Sequence, residues 1–426
     1  MVEDPARPSR TRHVVLTLLV FLYGLTYLDR VCISAVAPTI QEEFGFDEVI
    51  KGLIFSAFNL SYALFQIPTG WLADRIGAKR VLSILVGWWS FFTVATGAAW
   101  NATSLIVVRF LFGMGEAGAF PTASRAIARW MPISERGFSQ GITHAAARLA
   151  GSLAFPLSGF LVILFGWRLT FFIFASLGLL WLLFWQSFFR DEPKDHPRVN
   201  AAELEKICAG RINTPQQPQK SFSWREILSK PSLWALCMSY GCYGFAFSFF
   251  IFWTPSFWRQ EHGTSLMLAN SLSGILLFFG AVTNTIGGWL SDRIFVRTGN
   301  LRLARRWVAI PALCLAAIGM VGGGLASSPI ASFSFLLLAV SMLEMTTGVS
   351  WAVALDLGRD RAGTVSAVMN TTGNLGGTLS PLAFGLSVKY LDSWIAPFFI
   401  AATLCLISVL FWMKIDPEQS PFSAQR

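Results

Sequence analysis

Gly70-Trp-Leu-Ala-Asp-Arg-Ile76 returns 218 positions later as Gly288-Trp-Leu-Ser-Asp-Arg-Ile294. A second mark, Glu135-Arg136 followed by Pro156, repeats as Asp360-Arg361 followed by Pro381 at an offset of 225. Two matches at nearly one offset in a chain of 426 residues describe a duplicated unit. Each heptapeptide closes the second long apolar stretch of its half, and such stretches fill the chain. Their approximate limits are 14-36, 49-71, 81-99, 103-126, 138-163 and 169-189, then 231-258, 266-290, 307-327, 331-355, 362-388 and 393-413. A helix needs about 20 mostly apolar residues to cross about 30 Å of hydrocarbon. The twelve stretches therefore predict an all-α membrane protein, with twelve transmembrane helices in two pseudo-symmetric six-helix bundles around a central cavity.

Composition points the same way. With 54% hydrophobic and only 13% charged residues, 38 Phe and 17 Trp, the chain holds more apolar surface than a water-facing fold hides. The expected organisation is a cytoplasmic N-terminus (1-13), a first bundle (14-189), a linker (190-230), a second bundle (231-413) and a cytoplasmic tail (414-426). In the linker, Asn200-Ala-Ala-Glu203 has the form of an N-cap with a reciprocal acid, opening a short amphipathic helix to about Ile212. The first span is too long for a cleaved leader and carries Asp29 and Arg30, so it is expected to be retained.

The net charge of +9 is explained by topology. Of 33 Lys and Arg, 25 fall on the side of the termini, and only Lys51, Arg168, Arg259 and Lys389 fall on the opposite side. Arg30, Arg109, Arg125 and Arg148 lie within spans or near their ends. The positive-inside rule then puts both termini in the cytoplasm of a multi-pass inner-membrane protein. The basic residues form no aromatic-interleaved patch, so no nucleic acid is expected as a partner. Six cysteines without CxxC spacing give no disulfide or metal site, and the sequence has no phosphate loop or nucleophile motif to suggest an enzyme.

Ionised groups inside a span cost on the order of 2.5 to 3.5 kcal/mol each, so each asks for a partner or a purpose. The candidates are Asp29 and Arg30 in span one, Arg109 and Glu116 in span four, Arg148 in span five and Glu344 in span ten. At about 1.5 Å per residue, Glu116, Arg148 and Glu344 fall within about 4 Å of the membrane centre. Asp29, Arg30 and Arg109 fall roughly 6 to 8 Å outward of that centre. Arg109 and Glu116, seven residues apart, share one helix face, and Asp29 is a candidate counter-charge for Arg109.

Gly70-x-x-x-Asp74-Arg75-x-Gly77-x-Lys79-Arg80 resembles the signature of the major facilitator superfamily. Its glycines permit a tight turn and close helix contact, while Asp74 suits a basic group or a helix end on the neighbouring span. The second copy keeps Asp292 and Arg293 but is interrupted after Ile294. Tyr27-Leu-Asp29-Arg30, Arg109-Phe-Leu-Phe-Gly-Met-Gly-Glu116-Ala-Gly-Ala-Phe-Pro121, Trp130-x-Pro132-x-x-Glu135-Arg136 and Asn370-Thr-Thr-Gly-Asn374 resemble one branch, the anion:cation symporter family. The likeness is greatest to bacterial galactonate, hexuronate and glucarate permeases.

The resemblance implies proton- or sodium-coupled symport of an organic anion such as a sugar acid, with no cofactor beyond the coupled ion, by a monomer in lipid. It implies that Arg30 binds the substrate carboxylate, that Asp29 and Glu116 take up protons, and that Arg109 links them. Tyr62 and Asn374 match positions lining the family's cavity. The residues themselves agree: Arg30 suits a carboxylate, and Tyr27, Tyr62, Asn370 and Asn374 offer hydrogen bonds to hydroxyls. Competition between substrate and Asp29 or Glu116 for the same cations would make protonation favour binding. Structural alternatives stand beside each role: a static Asp29 and Arg109 pair, a helix-packing hydrogen bond from Glu116, and Arg148 or His144 as either a second anion contact or a partner for Glu344 or Glu116. Glu344 is open between pairing and substrate contact. The competing functions are an exchanger or exporter, and a membrane sensor that transports nothing.

Overall fold

The computed structural model describes residues 8–208, 230–358 and 362–417. The first two spans are the helices Thr11–Phe44 and Glu48–Ile76. They join in a tight turn because Gly45 takes a left-handed φ of 65° and Asp47 caps the second helix by accepting from the Ile50 amide at 2.9 Å. Span three is Ala78–Gly97, and span four comes in two pieces, Ala102–Glu116 and Ala119–Trp130. Spans five and six run without interruption from Ile133 to Phe188 except at Gly166, whose φ of 77° and ψ of 164° are not helical. The chain does turn back there, because Trp185 donates to the Lys79 carbonyl at 3.2 Å, on the side where Ile133 begins.

The second bundle repeats the plan. Span seven is Pro231–Phe252 extended by Thr254–Gln260, followed by Leu266–Thr298, Leu301–Leu325, Pro329–Gly358, Ala362–Leu391 and Ile395–Trp412. Ten of the described helices are long and apolar enough to cross a bilayer. One of these, Ser139–Phe188, holds the two passes on either side of Gly166. The remaining pass, span eleven (Ala362–Leu391), carries Asn370, Thr371, Thr372 and Asn374, which lower its apolar character. The twelve-span fold is the one expected, but the helices overrun the apolar stretches. Span one reaches Phe44 rather than residue 36, and its 34 residues continue past the hydrocarbon into polar ends.

The duplication is visible in side chains. Arg75 lies 4.0 Å over the Trp71 ring, and its counterpart Arg293 lies 5.1 Å over Trp289. The bundles also touch through paired glycine and proline contacts. A methyl group on Gly52 of span two would sit 2.4 Å from the Pro381 carbonyl of span eleven, and one on Gly274 of span eight would sit 3.0 Å from Pro156 of span five. Asp360 and Arg361 of the second mark lie outside the described residues, as do the side chains of Asp74 and Arg136.

The described part of the linker packs on the first bundle. Asn200 caps the helix Ala201–Cys208, accepting from the Glu203 amide at 2.9 Å. Glu203 is engaged elsewhere. Its buried carboxylate accepts from the amides of Thr11 and Arg12 at 3.3 and 3.1 Å and from Ser9 Oγ, so it caps span one. Asp191 likewise accepts from the Lys79 amide at 3.0 Å and caps span three. Gly77, at φ 88°, makes room for it, since a Cβ there would lie 2.8 Å from the Asp191 carboxylate. The expected continuation to Ile212 lies outside the described residues.

Candidate functional site

The half of the molecule away from the termini is closed by bonds between the bundles. Asn59 donates to the Gly377 carbonyl at 2.8 Å, Ser56 to the Thr378 carbonyl at 2.7 Å, and Asn270 to the Ala35 carbonyl at 3.3 Å. Above them sits a ring of charge. The four basic residues counted on this face are each paired with an acid from the turn between spans one and two: Lys51 with Glu48 (2.5 Å), Arg168 with Glu43 (2.6 Å), Arg259 with Glu42 (2.9 Å) and Lys389 with Asp47 (2.7 Å). Arg259 and Lys389 come from the second bundle, so two of the four pairs tie the bundles together. Gln260 adds a bond to Glu48 at 2.8 Å. Lys51, fully buried, also reaches Ser256 at 3.2 Å and lies 4.9 Å over Trp253.

Beneath this seal, Arg30 occupies an aromatic box. Its guanidinium lies 5.0 Å from the rings of Tyr27 and Phe58 and 4.7 Å from that of Tyr62. Nη2 donates to Glu116 Oε1 at 3.1 Å, while Nε is buried without a hydrogen-bond partner among the described residues. Glu116 ends the first piece of span four, where the helix breaks before Gly118. A Cβ on Gly118 would come within 2.6 Å of Thr69 and Leu85, so the break sits in a crowded crossing that fixes the carboxylate. Glu116 is 1% exposed, and its second oxygen has no hydrogen-bond partner among the described residues.

The expected pairing of Asp29 with Arg109 is not made. Both are buried, yet among the described residues neither oxygen of Asp29 and neither Nε nor Nη2 of Arg109 has a hydrogen-bond partner. Arg109 instead faces the rings of Phe112 (4.4 Å) and Phe58 (5.1 Å). Phe58 thus lies between Arg109 and Arg30, and an ionised Asp29 would have no bonded partner there.

A second pair spans the bundles at mid-depth. Arg148 of span five forms an ion pair with Glu344 of span ten, which also accepts from Tyr243 Oη and Asn284 Nδ2, each at 2.8 Å. Arg148, Glu344 and Tyr27 line a small recess together with Phe247, Ile251 and Leu277. His144, one turn from Arg148, packs among Tyr23, Phe120 and Trp351 at ring separations of 5.3 to 6.1 Å. Asn374 turns its amide to the Asn370 carbonyl of its own helix at 2.9 Å, and neither asparagine bonds to Arg30 or Arg148 among the described residues.

Of the signature residues, Gly70 meets Pro121 at ordinary contact distance, and Arg80 is exposed. Asp292 accepts from Arg305 of span nine at 2.7 Å, and the same nearly buried arginine donates to Asp356 of span ten at 3.1 Å. The second copy is therefore a tie inside its own bundle. The acids Glu42, Glu43, Asp47 and Glu48 went unnoticed in the sequence. Their signal was available: they lie beside the turn on a face that holds few basic residues, and those few needed partners.

A family model described as "Major Facilitator Superfamily" matches residues 19–381. The chain is 38% identical over 408 residues to the "Probable sulfoacetate transporter" of Cupriavidus necator, covering 96% of this chain and 94% of that one. It is 30% identical over 424 residues to the "Probable galactarate/D-glucarate transporter" of Escherichia coli K12, covering 96% and 94%. Among solved structures it resembles a bacterial homologue of the human lysosomal transporter Spinster, with a TM-score of 0.76 at 22% identity, 95% of this chain and 97% of that one being covered. It also resembles the D-xylose-proton symporter, with a TM-score of 0.76 at 17% identity over 96% and 99% of the two chains. At these identities the structural likeness speaks for the fold alone.

Proposed function

As a member of the Major Facilitator Superfamily the chain is a multi-pass membrane transporter and not an enzyme, and we propose that it carries a small organic anion inward together with protons. The observation that carries this reading is Arg30, a fork-shaped cation in an aromatic box, whose present partner is the buried acid Glu116. A substrate carboxylate and Glu116 compete for one guanidinium. Protonating Glu116 removes its claim, so proton and substrate bind together and leave together. Asp29, buried without a hydrogen-bond partner among the described residues, is a second place for a proton.

The positive-inside rule puts the termini in the cytoplasm, which makes the charged seal the outer gate and leaves the site to open inward. Rocking of the bundles then exchanges one gate for the other. Two relatives are named for sulfoacetate and for galactarate and D-glucarate. An acidic substrate of that kind, most simply a sugar acid, suits Arg30 flanked by the hydroxyls of Tyr27 and Tyr62. The coupled ion is the proton, the working unit is a monomer, and the membrane is the bacterial inner membrane.

Proteoliposomes made with the full chain test this. Labelled aldonate, uronate, aldarate and sulfoacetate should include at least one that accumulates when the outside is acidic. Glu116→Gln should retain substrate-for-substrate exchange but lose accumulation driven by a pH gradient. Undiminished accumulation in that variant would remove Glu116 from coupling. Uptake driven only by sodium, or indifferent to both gradients, would replace proton symport with sodium symport or exchange.

A further inference from the structure

Building on the organic-anion reading, we propose that Arg148 is a second anion-binding site and that the substrate is a dianion. One acidic group would replace Glu116 on Arg30, and the other would replace Glu344 on Arg148.

The two ion pairs are built alike. In each, the acid is almost wholly buried, at 1% exposure, while the arginine side chain keeps some access, 13% for Arg30 and 20% for Arg148. They differ in what the acid keeps if the arginine departs. Glu116 has no other hydrogen bond among the described residues and must take up a proton, whereas Tyr243 and Asn284 of its own bundle each hold one oxygen of Glu344 at 2.8 Å. Arg148 has no such reserve among the described residues: beyond Glu344 it faces the Phe247 ring at 5.7 Å. A guanidinium so placed accepts a new anion readily, and the carboxylate it leaves keeps its hydrogen bonds.

The two arginines also share a wall. The Tyr27 ring lies 5.0 Å from the Arg30 guanidinium and lines the same recess as Arg148 and Glu344. A short molecule with an acidic group at each end can reach both cations along that ring, whereas a monoanion satisfies only one. The second group does further work. Arg148 belongs to the first bundle and Glu344 to the second, so an anion that takes Arg148 breaks a tie between bundles at mid-depth. A dianion thereby has the differential contact with the two states that a substrate needs to drive rocking.

The test compares anions that differ only in the second group. Binding of gluconate against glucarate, and of acetate against sulfoacetate, is measured by thermal stabilisation and by competition on the purified full chain. The dianion of at least one pair should bind about tenfold or more tighter than its monoanion, a difference of about 1.4 kcal/mol. In Arg148→Gln that preference should fall to near unity while monoanion affinity stays within about twofold. Because removing one member of a buried pair can unfold a protein, Arg148→Gln with Glu344→Gln is the companion variant. It neutralises both groups at once and should lose the preference in the same way. Equal binding of both members of each pair by the unmodified chain overturns this inference alone, as does an Arg148→Gln variant that weakens both members alike or leaves the preference intact. Binding of none of the four, nor of any other organic anion, overturns the organic-anion reading and this inference with it.

Discussion

A single methyl group at position 52 tests whether close backbone contact sets the orientation in which the protein rests. In Gly52→Ala the new Cβ would stand 2.4 Å from the Pro381 carbonyl oxygen, 3.0 Å from its carbon and 3.2 Å from Leu382 Cα. All three atoms are backbone, so no rotamer change relieves the contact, and the helices must part by about 1 Å to reach ordinary packing distance. Overfilling of this kind costs about 1–3 kcal/mol. The contact joins the bundles only where the side away from the termini, the outer side in the proposed orientation, is closed, so the cost falls on that state and shifts the equilibrium about 5- to 150-fold toward opening there.

Spin labels on cysteines placed at Trp100 and Ile330, exposed positions on the outer ends of the two bundles, report the separation by electron-electron resonance. A longer-distance population should grow in Gly52→Ala, and in Gly274→Ala, whose Cβ would meet the Ser152 carbonyl at 2.5 Å. Gly288→Ala, with nothing within 4 Å, should leave the distribution alone. A folded Gly52→Ala protein whose distances match the unmodified chain would refute the argument.

Arg30→Lys keeps the charge but loses the two-pronged donor, so substrate affinity should fall about 10- to 100-fold in direct binding; an unchanged affinity would mean the carboxylate is held elsewhere. Gly77→Ala should lower the melting temperature, by the equivalent of about 1–3 kcal/mol, because it combines a strained φ with a clash on Asp191; an unshifted transition would contradict that cap. Lys389 chiefly, with the Ile50 amide, holds the Asp47 carboxyl below the usual aspartate range. A lowered carboxyl contributes closure that is complete above about 3.9 and lost as pH falls through its lowered value, so outer-side distances should show no Asp47-dependent change between pH 7 and 5. Asp47→Asn should lengthen them at pH 7, and an opening in that window that Asp47→Asn abolishes would count against the latch.

Much of the architecture could be read before any coordinates. Hydrocarbon imposes a length and a composition on each span, and a repeated heptapeptide fixed where the halves correspond, so span count and duplication were legible. The charged residues inside spans were legible as a set, because each is too costly to occur without cause. Their pairing was not. Depth along a helix follows from counting, but azimuth depends on how helices lean, and that is why Arg30 rather than Arg109 meets an acid, and why Asp29 stands alone. Glu203 shows the same limit. A local pattern suggested a reciprocal cap, whereas a partner some 190 residues away claimed the carboxylate. The outer ring of acids was missed because adjacent glutamates at a helix end resemble ordinary solvated charge until the opposite bundle arrives with Arg259 and Lys389.

Glu203 and Asp191 make the start of the connector a part of the first bundle, since they hold spans one and three by their amino ends. The chain should therefore tolerate being made as two polypeptides, one ending after Cys208 and the other beginning at Lys230. Both helix ends would keep their caps, and the halves would have to find each other through the contacts between the bundles alone, the glycine and proline crossings, the hydrogen bonds and the ion pairs. Reassembly of such fragments into an active carrier would measure how much of the assembly those surfaces can direct without a tether.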